Sequence, residues 1–152
     1  MSDALRERAL RMLGRRDYAR QELAHKLAVH AGSAAQLDAL LDDLGRSALL
    51  SDERYAAGRV HSRGARIGDA KLAHELRAKG VAADLVKAAL ATGEDELLRA
   101  RRVWERKFSR QPAAVDDLEG TVARNRQMRF LAGRGFSRET IRRVLRGDLE
   151  ND

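Results

Sequence analysis

KLAHELRAKGVAADLVKAAL, residues 71–90, decides the fold. It reads as a helix, a glycine stop and a second helix. Leu72, Ala73 and Leu76 share one face at helical spacing. Lys79 falls in the last turn, where a cation meets the negative end of the helix dipole. Gly80 follows, and only glycine takes the left-handed position after a helix without steric cost. Leu85, Val86, Ala89 and Leu90 then resume an apolar stripe. Neither short helix can bury its stripe alone, so the two are expected to fold back on each other.

The phrase recurs. Moved forward by 55 positions, residues 75–90 lie on FLAGRGFSRETIRRVL, residues 130–145, without a gap. Gly80 then meets Gly135, Val81 meets Phe136, Val86 meets Ile141 and Leu90 meets Leu145. Moved back by 49 positions, Leu72-Ala73-His74 meets Leu23-Ala24-His25 and Leu76 meets Leu27, with Gly32 near the matching turn after one extra residue. Helix–turn–helix content at a period of about 50 residues marks a repeat array.

Composition agrees with stacked helices. The 152 residues include 30 Lys+Arg against 23 Asp+Glu, a net charge of +7 that predicts attraction to polyanions. Charged residues make up 35%, aromatics 4%, and there is one proline. Alanine, the best helix former, supplies much of the apolar content, which suits narrow stripes packed through small residues. With no cysteine, disulfides and thiolate metal sites are excluded, and a reducing cytoplasm is the expected compartment. No apolar run is long enough for a membrane span, and MSDALRERALRML lacks the core of a secretory signal.

Read in order, the chain gives an all-α fold of nine helices in three sets of three, with repeats at 1–50, 51–93 and 94–152. Residues 3–14 form the first helix, with Leu5, Ala9, Met12 and Leu13 on one side. A second runs from about Tyr18 to Gly32 and carries Leu23 and Leu27. Ser33 and Gln36 make a capping-box pattern for a third, whose stripe is Leu37, Leu40, Leu41 and Leu44. Ser51 caps the fourth, which turns Tyr55, Ala56 and Val60 inward and ends in the basic turn 63–68. After the opening stretch, Glu94 to about Arg110 is a helix with Leu97, Ala100, Trp104 and Phe108 on its apolar face. Gln111-Pro112 ends it. Val115 to Ala132 follows, with Leu118, Val122, Met128 and Leu131 expected inward. Ser137 caps the last helix, which buries Ile141, Val144 and Leu145, and residues 148–152 are expected to fray.

Three stretches together resemble one family. SDERYAAGRVHSRGARIGDAKLAHELRAKGV, residues 51–81, is similar to the most characteristic block of the RecX family, regulators of the RecA recombinase. RRDYARQELAHKL, residues 15–27, and FLAGRGFSRETIRRVL resemble the family's first-repeat and C-terminal segments, in the family order. One departure is Leu49-Leu50, where the family pattern has glycine and an aromatic or apolar residue. The resemblance implies three tandem three-helix modules in a curved, elongated monomer. It also implies binding to the RecA filament on single-stranded DNA, with inhibition of strand exchange, ATP hydrolysis and repressor cleavage.

The residues themselves offer no converging catalytic groups and no cofactor site. His74-Glu75 opens like a zinc-protease helix, but Ala78 stands where the second ligand belongs. His25 and His74 read as helix-surface or inter-helix side chains, His30 and His61 have no cysteine or paired histidine at ligand spacing, and no phosphate loop or nucleophile elbow is present. Positive charge is the informative chemistry. Between Arg99 and Arg146 there are 14 Lys/Arg and five Asp/Glu. Arg101, Arg102, Arg106 and Lys107 lie along one helix, Arg124, Arg126 and Arg129 along the next, and Arg138, Arg142, Arg143 and Arg146 along the last. Arginine forks suit phosphate and stack on bases, so these eleven are the candidate contacts to single-stranded, and also double-stranded, DNA. Trp104 and Phe108 have the spacing of core residues rather than of a stacking platform, and Tyr18 and Tyr55 are weaker candidates for partner contact. Two other classes fit less well. A helix-turn-helix transcription factor needs a row of base-reading side chains, which VAADLVKAAL lacks and SRETIRRVLRG offers only alone, and a pure helical scaffold without DNA affinity would bind protein independently of salt.

Overall fold

The computed structural model describes residues 2–109 and 118–147. Among them are nine α-helices, one short 3-10 turn and no strand. The helices are α1 (Ser2–Arg15), α2 (Arg20–Leu27), α3 (Ala34–Arg46), α4 (Asp52–Arg63), α5 (Asp69–Ala78), α6 (Ala83–Thr92), α7 (Glu96–Phe108), α8 (Leu118–Gly133) and α9 (Arg138–Arg146). The expected stop at Gln111-Pro112, the start at Val115 and the frayed end at 148–152 lie outside the described residues. None of these helices is long and apolar enough to cross a membrane.

Local sequence sets the helix starts. Ser33, Ser51 and Ser137 each accept a backbone N–H from the residue three positions on, at 3.1, 3.1 and 3.2 Å. Gln36 completes a variant of the capping box: its side chain accepts from Gly32 N–H at 2.7 Å, one residue earlier than the usual partner. Asp95 caps α7 through Leu97 N–H at 2.7 Å.

Helix ends follow one pattern three times. The amides of Leu49, Val81 and Phe136 donate to the carbonyls of Leu44, Leu76 and Leu131 at 3.0, 3.1 and 3.2 Å. This bond closes a helix when the residue before the donor is left-handed. Gly80 has φ 84° and Gly135 φ 89°, so the 55-residue shift seen in the sequence is reproduced hydrogen bond for hydrogen bond. The third left-handed residue is Ala48, at φ 62°. Gly32 does not play this part. α2 instead tightens into the 3-10 turn Ala28–His30 and leaves through an extended Ala31.

The chain divides into two compact units, Met1–Gly58 with Glu75–Ala89 and Arg59–His74 with Leu90–Asp152. In the first, Leu5, Ala9, Leu23, Leu27, Leu37, Leu40, Leu41, Leu44 and Leu50 form the core, with Met12 and Leu13 packed at its edge. In the second, Leu97, Ala100, Val103, Leu131, Phe136, Ile141 and Val144 form the core, and Trp104, Phe130 and Leu145 pack against it.

Each unit contains the same junction. In the first, the Asp52 carboxylate accepts from Arg20 N–H at 2.7 Å, and Gly80 lies so close to Gln21 that a Cβ would overlap its side chain. In the second, the Glu96 carboxylate accepts from Asp69 N–H at 2.8 Å, and a Cβ on Gly135 would overlap Lys71. In both, the first residue of one set's leading helix caps the middle helix of the set before it. Neighbour contacts of one kind, repeated, are what a helical repeat array is built from.

Tyr55 is buried with Ala56 and Val60, as the inward face of α4 indicated, which removes it as a candidate for partner contact, and Tyr18 is half-buried under the Arg16 guanidinium at 3.6 Å. One expectation about faces needs correction. On α8, Leu118, Val122 and Met128 are exposed, and the buried positions are Gly120, Gln127 and Leu131. At about 100° per residue, Val122 points opposite to Leu131, whereas Gly120 and Gln127 fall within about 40° of it. Polar Gln127 is tolerated inside because its side-chain oxygen accepts from the Trp104 indole N–H at 2.9 Å.

Candidate nucleic-acid interface

The second unit brings most of the predicted cations to two places. The first lies between α8 and α9. Arg138, Arg142 and Arg146 stand one turn apart on α9, and Arg124 and Arg129 face them from α8. They rim a groove of ≈ 540 Å³ whose floor is Met128, Ala132, Ile141 and Leu145. Exposed Met128, out of place as a core residue, makes sense as part of this floor. Glu139 is the carboxylate at hand, and the Arg142 guanidinium, bonded to it at 2.5 Å, holds it below the ordinary carboxylate range.

The second place is a groove of ≈ 380 Å³ lined by Arg66, Val103, Arg106, Lys107, Phe130 and Arg134. Arg106 and Lys107 are among the candidate cations read along α7. Arg66, Phe130 and Arg134 were not among the candidates from the sequence. The signal was the basic turn 63–68, which the sequence showed only as a helix end.

The remaining candidates stand apart. Arg101 pairs with Glu105 at 3.2 Å and Arg102 with Glu94 at 2.5 Å. Arg126 is exposed, and Arg143 is half-buried; neither lines the two grooves. Phe108 is buried and meets Phe130 edge-on, with ring centroids 5.4 Å apart, so it is core, as its spacing indicated. Trp104 packs against the same core, and its N–H is taken by Gln127.

A buried arginine organises the turn. Arg99, 4% exposed, donates to the carbonyls of Glu94, Gly64 and Ile67 at 3.0, 3.2 and 2.8 Å and pairs with Asp69. Burial pushes the Asp69 carboxyl up; Arg99 pulls it down and Glu96 and Asp95 add to the rise, so the net direction is upward. All four histidines are exposed. Among the described residues no group of three His, Asp or Glu could hold a metal ion.

Comparison with known proteins bears on this arrangement. The model of "RecX, second three-helix domain" matches residues 51–90, and that of "RecX, third three-helix domain" matches 94–145. Relatives described as "Regulatory protein RecX" include those of Leptothrix cholodnii, 46% identical over 98% of this chain and 92% of that protein, and Chromobacterium violaceum, 42% identical over 98% and 93%. The fold is similar to the crystal structure of RecX from Lactobacillus salivarius, with TM-score 0.77 and 18% identity over 96% of this chain and 95% of that one. The cationic α7–α9 set thus falls on a domain with a family model of its own, and likeness to the relatives runs almost from end to end: the chain belongs to the RecX family.

Proposed function

We propose that this protein is a non-enzymatic modulator of RecA, binding the RecA filament on single-stranded DNA and limiting strand exchange, ATP hydrolysis and RecA-assisted repressor cleavage in the cytoplasm. Family membership supports the RecA partner. The observation that carries the DNA contact is the α8–α9 groove, where five arginines rim an apolar floor. Guanidinium forks bind phosphate oxygens in pairs, and the floor accepts sugar or base edges. Binding of this kind releases counterions from the strand, so it weakens with salt.

The test measures binding to fluorescent oligo(dT) over a range of salt. If about five phosphates are neutralised, log K falls with log salt at a slope near −3.5. Each of Arg129→Gln and Arg142→Gln makes the slope shallower by about 0.7. A slope near zero in the intact protein rejects direct contact through these arginines. Cosedimentation with RecA filaments then reports whether docking on protein remains.

A further inference from the structure

The smaller groove has a composition that phosphate binding alone does not require. Phe130 is half-buried, packed against the core of the second unit with its ring edge-on to Phe108, and cations also approach the ring. The Lys107 ammonium lies 5.2 Å and the Arg134 guanidinium 5.1 Å from the ring centroid. Arg106 reaches across to the 63–68 turn and donates to the Ala65 carbonyl at 2.7 Å. Arg66 leaves that same turn and completes the lining.

This arrangement is held from below. Arg99 ties down the Gly64 and Ile67 carbonyls on either side of Arg66. Gly68 N–H donates to the Arg134 carbonyl at 2.8 Å, which joins the turn to the end of α8. Gly68 has no room for a side chain there, because a Cβ would overlap the Gly135 carbonyl. An aromatic ring and four cations gathered around a braced turn are preorganised for a ligand that alternates flat apolar faces with negative charge. Single-stranded nucleic acid is such a ligand.

We propose that Phe130, ringed by Arg66, Arg106, Lys107 and Arg134, is a nucleotide subsite in which a base packs against Phe130 and Arg134 while Arg66, Arg106 and Lys107 meet the adjoining phosphates. The proposal rests on the reading that the protein touches single-stranded DNA, and it adds a stacking contact outside the α8–α9 groove. It predicts affinity that comes from the bases as well as from the backbone.

The experiment compares oligo(dT) with an abasic strand of equal length, binding to the intact protein and to Phe130→Leu. Leucine keeps apolar volume against Phe108 and removes the ring. Phe130→Leu is expected to bind oligo(dT) about tenfold more weakly with an unchanged salt slope, since stacking releases no counterion. On the abasic strand the two proteins are expected to bind alike. Arg66→Gln, a second variant at a phosphate contact, should weaken oligo(dT) binding and make the slope shallower by about 0.7. Equal binding of oligo(dT) by Phe130→Leu and the intact protein overturns the subsite but leaves the DNA reading standing. Equal weakening on both strands also overturns it, because it marks a structural effect. If the intact protein binds neither strand, the reading on which the subsite rests fails with it.

Discussion

Arg99 and Glu22 are charged side chains in places where charge is costly, and each survives through partners far away in sequence. Arg99 spends its donors on three carbonyls and the Asp69 carboxylate. Arg99→Met keeps the packing of the stem but leaves those acceptors unpaired, and it is expected to destabilise the protein by about 2–4 kcal/mol in urea unfolding. Burial pushes the Glu22 carboxyl up, but Arg16 at 3.0 Å and Lys79 at 3.4 Å outweigh it, so the folded pKa lies below the ordinary value. A lowered folded value means that the stabilisation is complete above the ordinary carboxylate range and is lost as pH falls through the folded pKa. Glu22→Gln should therefore cost about 1 kcal/mol at neutral pH, and its unfolding midpoint should converge on that of the intact protein on acidification. Neither burial was legible in the sequence. Arg99 counted there as one more cation in a basic stretch, and nothing in its neighbours revealed carbonyls arriving from the 63–68 turn.

Helix ends were the most legible features, because a glycine after an apolar stripe has a local reason to be there. Gly80 and Gly135 fulfil that reading, with the same backbone bonds at both. The end of α3 has the same geometry, but Ala48 takes the left-handed place. An L side chain is strained there, so Ala48→Gly is expected to raise stability by about 0.5–1 kcal/mol. Gly135→Ala should lower it by about 1–3 kcal/mol, from left-handed strain with the Lys71 overlap added. Thermal unfolding of the two variants reads both signs. The face of α8 was illegible for a different reason. Its apolar residues do not form one stripe, so of the expected Leu118, Val122, Met128 and Leu131 only Leu131 is buried, and packing adds Gly120 and Gln127 beside it. Side chains from α7 decided that choice, Trp104 foremost, and they lie beyond the reach of local periodicity.

Across the molecule the net charge of +7 is distributed unevenly, with 14 of the 30 Lys+Arg in residues 99–146. The concentration was plain in the sequence, but its division into two grooves was not. Spacing on α9 placed Arg138, Arg142 and Arg146 together, because residues one turn apart share a face. Arg66 joins Arg106 and Lys107 only because the 63–68 turn is carried to α7 by the tertiary fold. The proposed role of these cations is to serve a regulator of RecA filaments that makes and breaks no bonds itself. The measurement that tests this most directly is steady-state ATP hydrolysis by RecA on single-stranded DNA, titrated with the protein. Hydrolysis should fall steeply as the protein approaches excess, and a folded variant carrying Arg129→Gln, Arg138→Gln, Arg142→Gln and Arg146→Gln should be a much weaker inhibitor. Hydrolysis that stays undiminished at excess of the folded, intact protein would contradict the account.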